Sequence, residues 1–145
     1  MLLLAQYPFL NLYLHEGPSK ALEAQWQGFV TSSVFRQAVA EALDWAREHR
    51  ITGWVADDRL LGPVRPADME WIASEIMPEL VRVGLRRLAR IEAEDPLNQL
   101  LIKQMHSAAY ELAPFEQRLF TDVAQARAWA SGTDTEVATG KTTTH

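Results

Sequence analysis

Two adjacent carboxylates and a guanidinium, Asp57, Asp58 and Arg59, stand in the run WVADDRLLGP at residues 54–63. A carboxylate pair can share a proton in acid–base work, ligate a divalent ion or take up a phosphoryl group. Each use needs the two groups to converge, and neighbours on a strand point to opposite faces. Convergence therefore requires that the strand has ended by Asp57, with Glu92, Glu94 and Asp95, after the next sheet-type run, as the only helpers so placed. The structural expectation is simpler. Asp57 accepts hydrogen bonds from loop amides, and Asp58 pairs with Arg59 or solvent, ordering the turn into Gly62 and Pro63.

Leu60, Leu61 and Val64 follow in what reads as a connecting loop. Loops run over the surface, so apolar side chains there either fold back on the domain or present a contact for a second subunit, a partner protein or an apolar ligand. The candidate partner- or ligand-binding set is thus Asp57, Asp58, Arg59, Leu60, Leu61 and Val64, with no catalytic residue and no metal ligand assigned. The histidines His15, His49, His106 and His145 lack paired metal-ligand spacing, and His106 reads as a satisfied surface or boundary residue. Ser32 and Ser33 sit where helix capping explains them. Gly28, Gly53 and Gly62 form neither a dinucleotide fingerprint nor a P-loop, so no cofactor is expected. Arg82, Arg86, Arg87 and Arg90 crowd at or just beyond a helix end, where cations favour the dipole; the functional alternative is an anion sensor using Arg82, Arg86 and Arg87.

The elements that position these residues follow from periodicity. LNLYLHE (10–16) and KALEAQWQG (20–28) alternate in part around the turn residues Gly17, Pro18 and Ser19, which predicts a hairpin. Val34, Phe35, Ala38, Val39, Ala42, Leu43 and Ala46 recur at three and four, predicting a helix over 33–49 capped by Thr31, Ser32 or Ser33. ITGWVADD (51–58) has no alternation, as in a strand covered on both faces. The next helix starts near Pro66 and holds Pro78, which removes a backbone hydrogen bond and should kink or split it between Ser74 and Met77. A strand over 86–93, a helix opened by Asp95 and Pro96, a strand over 115–122 and a helix capped by Thr121 or Asp122 complete the order β-β-α-β-α-β-α-β-α. Such alternation predicts an α/β fold: a mixed, mostly parallel sheet of four to five strands, flanked by about four helices. Residues 1–131 form one domain and 132–145 a flexible polar tail.

Composition narrows the function classes. The 145 residues are 48% hydrophobic and 23% charged, the balance of an ordinary globular domain. The net charge of −5 argues against nucleic-acid binding, which needs a basic surface. Absence of cysteine excludes disulfides and thiolate chemistry and fits the reducing cytoplasm. The opening MLLLAQYPFL lacks an export pattern and no apolar run suits a membrane span, so a cytoplasmic protein with no membrane partner is expected.

Trp26-x-Gly28, Phe35-Arg36, Trp54 followed by Asp57-x-Arg59, Trp71, Pro78, Gly84 and Phe120-x-Asp122 with Ala126 and Trp129 together resemble the SpoIIAA-like (STAS-like) bacterial domains. The likeness runs over about residues 8 to 131 and is to the uncharacterised branch common in Bacteroidetes. It implies a four- or five-stranded sheet with flanking helices and roles in protein interaction or ligand sensing. The family's phospho-accepting Ser or Thr is missing, because DDRLLGPVRPADMEW offers neither. The expectation is a non-catalytic interaction or sensing domain acting through a protein partner or a homodimer. The alternatives are a metal-dependent or phosphoryl-handling enzyme using Asp57 and Asp58, and an anion or small-ligand binder.

Overall fold

The computed structural model describes residues 1–110 and 114–133. Among them one sheet holds six strands in consecutive order: β1 (Leu2–Tyr7), β2 (Leu10–Glu16), β3 (Lys20–Gly28), β4 (Gly53–Leu61), β5 (Arg87–Ile91) and β6 (Glu116–Phe120). β1 to β3 form an antiparallel meander, and β3 to β6 run parallel. The expected hairpin stands at its expected bounds, with Leu12 opposite Ala24 and Leu10 opposite Trp26. The strand count corrects the expected four to five. β1 is an additional edge strand, and the element order is β-β-β-α-β-α-β-α-β-α when the broken second helix is taken as one unit. LLLAQY has no alternation to mark it, because its Leu2 and Leu3 lie exposed on an edge.

Helix α1 (Ser32–His49) buries Phe35, Ala38, Val39, Ala42, Leu43 and Ala46, the face its spacing predicts. Thr31 holds the N-cap position without a side-chain cap bond, and the Ser32 hydroxyl is used elsewhere: it donates to Asp68 at 2.6 Å. Capping therefore does not explain Ser32. The second unit runs as α2 (Pro66–Trp71), a π-helical turn (Ile72–Ile76) and α3 (Met77–Val83). Pro78 has no N–H for the Ser74 carbonyl, and the chain answers by widening one turn, with the Met77 N–H bonded to Ile72 O. The expected break is present as a π-turn rather than a kink. Helix α4 (Pro96–Tyr110) begins where Asp95 accepts the Asn98 N–H at 3.0 Å, and α5 (Val123–Ser131) where Asp122 accepts the Ala124 N–H at 2.8 Å. Beyond Thr133, the expected tail lies outside the described residues.

Strands laid down in one direction with right-handed crossovers send every crossover helix to the same face. That face carries the larger core, in which Leu10, Leu12, Leu22 and Leu88 meet the inner sides of α1, α3 and α4. Among the described residues the opposite face carries α5 alone, whose Ala126, Trp129 and Ala130 pack on Ala21, Val55, Ala89 and Ile91. An ideal Cβ on Gly53 would stand 2.1 Å from Ala130 O, so glycine sets how close α5 lies to the sheet. Among the described residues no helix is long and apolar enough to cross a membrane.

Candidate functional site

β4 runs on to Leu61, so the carboxylate pair lies within the strand and not beyond its end. Asp57 and Asp58 accordingly point to opposite faces. Consecutive strand order also leaves no reversal point at the strand ends, the place where open α/β sheets usually open a crevice. Function must be sought on the two faces.

On the α5 face Asp57 is held by Arg59, whose Nε and Nη2 donate to its two oxygens at 2.9 and 2.8 Å and whose backbone N–H donates at 3.3 Å. Arg59 thus pairs with Asp57, correcting the expected pairing with Asp58. Beside it Glu23, fully buried, accepts Arg127 Nε and Nη2 at 2.7 and 3.0 Å and Gln25 at 2.7 Å, with His15 Nε2 at 2.6 Å. Burial alone would raise Glu23, yet bonds from His15, Arg127 and Gln25 hold it down to about 2. This closed network fixes α5 to β3.

Asp58 has the opposite surroundings. Pairing of β4 with β5 stops at Asp57 opposite Ile91, and the β3–β4 register shifts between Gln25 and Gln27, so Asp58 sits at an irregularity in the sheet. It is 8% exposed and turned toward the helices. Burial first, then the charge of Asp57, pushes its carboxyl up to about 7, against the pull of Arg90. The expectation of a solvent-paired carboxylate is overturned: covering helices, not water, surround it.

Asp58 lines an apolar cavity of about 90 Å³ between sheet and helices. Trp26, Trp54 and Ala56 belong to its floor, and Phe35 and the π-turn residues Ile72 and Ile76 are among the side chains of its walls. Its one other ionisable lining residue is His106 of α4, 5% exposed, with Nδ1 buried and without a hydrogen bond among the described residues. Burial, then the charge of Arg90, holds His106 down to about 3, so its imidazole is neutral at ordinary pH. His106 is therefore no satisfied boundary residue. The spacing of Asn98, Ile102, Met105 and His106 along one helical stripe is the signal that could have placed it inside.

Arg90 closes the group. It stands opposite Ala56 in the β4–β5 register, on the same face as Asp58, and burial lowers its pKa while Asp58 and Glu92 oppose this. Neither Asp58 nor Arg90 has a hydrogen-bonded partner among the described residues. Among those residues no group of three His, Asp or Glu side chains could hold a metal ion, and Asp57 and Asp58 diverge.

The apolar loop is largely drawn inward. Asn98, 1% exposed, donates to Leu61 O at 3.0 Å and Gly62 O at 2.7 Å and accepts the Val64 N–H at 3.1 Å. Leu61 is buried on the cavity wall, Val64 packs against the core, and Leu60 alone of the three is fully out, at 59% exposure. The arginines proposed as an anion sensor separate: Arg82 pairs with Glu79 on α3, whereas Arg87 donates to Trp129 O at 2.7 Å under α5.

No family model matches the chain, and no curated protein or solved structure is significantly similar to it.

Proposed function

We propose that this is a non-catalytic, cytoplasmic ligand-sensing domain, as its resemblance to SpoIIAA-like domains implies, and that the ligand occupies the cavity at Asp58 and His106. The observation that carries the reading is an apolar chamber whose ionisable lining, among the described residues, is the buried Asp58 carboxyl and the His106 imidazole, with His106 Nδ1 left without a hydrogen bond. Small-molecule sites are typically apolar with a few placed polar groups and titratable groups of shifted pKa. The π-turn on the wall supports it, since such turns recur at functional sites. The cavity lining supplies an acid and a neutral imidazole but no nucleophile among the described residues, which suits binding better than group transfer.

The test is titration with a small neutral probe, 1-pentanol, read by Trp26 and Trp54 fluorescence and by melting temperature. Saturable binding that Ala56→Leu abolishes, with a rise in melting temperature from cavity filling, is the expected result. A probe that leaves both signals unchanged overturns the reading.

A second reading, partner capture or self-association, is favoured by exposed Phe29, Leu60 and Leu97 near one end of the sheet. Asn98 ties this end together through Leu61 and Gly62. Light scattering on Leu60→Ser tests it: loss of a dimer or of a captured partner supports it, and an unchanged mass refutes it. Leu61→Ser does not test it, because Leu61 is core.

A further inference from the structure

The cavity is one side chain away from a polar groove. His106 lines both the cavity and an open groove between α4 and the β5–β6 edge, whose walls include Arg90, Lys103, Ser107 and Gln117. Asp58 likewise lines the cavity and a narrow crevice that Arg90 and Lys103 share with it. Arg118 belongs to the groove by its position, but its guanidinium lies over Phe120 and Trp129 on the other face, so it does not count toward the groove's charge. Among the described residues two cations, Arg90 and Lys103, stand at the junction, with Glu92 as an acidic neighbour on the crevice.

From this junction we infer, resting on the cavity reading above, that the ligand is a small organic acid: its carboxylate sits between Arg90, Asp58 and His106, and its aliphatic tail of about four carbons fills the chamber. Three features support that choice. A partly buried guanidinium with no bonded partner among the described residues offers a planar fork that fits a carboxylate. The buried Asp58 carboxyl, protonated over much of the ordinary range, can donate to a ligand oxygen that a charged aspartate would repel. The unbonded Nδ1 of His106 is a third polar atom at the same place, more than nine-tenths buried. The tail is kept short because the chamber is small, about 90 Å³.

The experiment compares pentanoate with 1-pentanol, pentylamine and acetate at equal concentration near pH 6, by calorimetry and tryptophan fluorescence, on the intact protein and on Arg90→Gln. Pentanoate is expected to bind about tenfold tighter than pentanol, and Arg90→Gln to erase that margin while leaving pentanol binding in place. Circular dichroism checks that the variant folds; Lys103→Gln, on an exposed residue, serves as a second variant expected to weaken pentanoate binding less. Pentanol binding as well as pentanoate overturns the head-group assignment and leaves the cavity reading standing. A preference for pentylamine overturns it in favour of an anionic Asp58 as the recognising group. Acetate matching pentanoate overturns it by placing the anion outside the chamber. No binding by any of the four overturns both readings.

Discussion

The neighbours Asp57 and Asp58 differ in solvation more than in chemistry. Asp58 titrates near 7 in the fold against an ordinary 3.8. Between those values the folded protein keeps a proton that the unfolded chain has released, so stability falls as pH rises from about 4 toward 7, and the full penalty applies above it. Asp58→Asn should flatten that slope and exceed the parent protein in stability by on the order of 2 to 4 kcal/mol at pH 8, as measured by urea denaturation across the range. Glu23 has the reverse sign. Its carboxyl is held down to about 2 against an ordinary 4.5, so its contribution is present above 4.5 and is lost as pH falls toward 2. Glu23→Gln should cost roughly 3 kcal/mol at neutral pH, because Arg127 loses its charged partner, and should remove that acid limb from the same measurement.

At the scale of elements, the loop between β4 and α2 depends on one side chain from α4. Replacing Asn98 by Leu leaves the Leu61 and Gly62 carbonyls and the Val64 N–H without their buried partner. A loss of about 2 to 4 kcal/mol is expected, with faster hydrogen exchange at Val64. A loss below about 0.5 kcal/mol would show that water replaces the amide at little cost. Much of this scale was readable in advance. The hairpin and α1 carry clear periods, Asp95 and Asp122 announce their helices, and Pro78 marks the widened turn. What was not readable depended on distant partners. β4 continues through two carboxylates because Arg59 neutralises one while α4 and the π-turn cover the other, and the apparent loop leucine Leu61 is buried because Asn98, 37 residues on, pulls its backbone inward. His106 was misplaced for the same reason: the chain around it shows a mixed helix, and only the packed sheet shows which side faces in.

At the scale of the molecule, the described residues cover the two faces unequally, three crossovers on one and α5 alone on the other. The α5 face is therefore sensitive to spacing. Gly53→Ala forces a Cβ to within 2.1 Å of the Ala130 carbonyl, a backbone contact that only movement of α5 can relieve. A destabilisation of about 2 kcal/mol or more is expected, together with a changed environment for Trp129 in its near-ultraviolet signal. An unaltered melting temperature would mean that α5 is held more loosely than its packing suggests. The consecutive order of strands also bears on how the chain is made. Each strand lies beside the one synthesised just before it, so a ribosome releases the sheet in the sequence in which it assembles, and every new strand meets a template already formed. Among the described elements α5, which reaches across from β6 toward β2, packs on strands that all precede it in the chain, so its docking waits until those strands are in place.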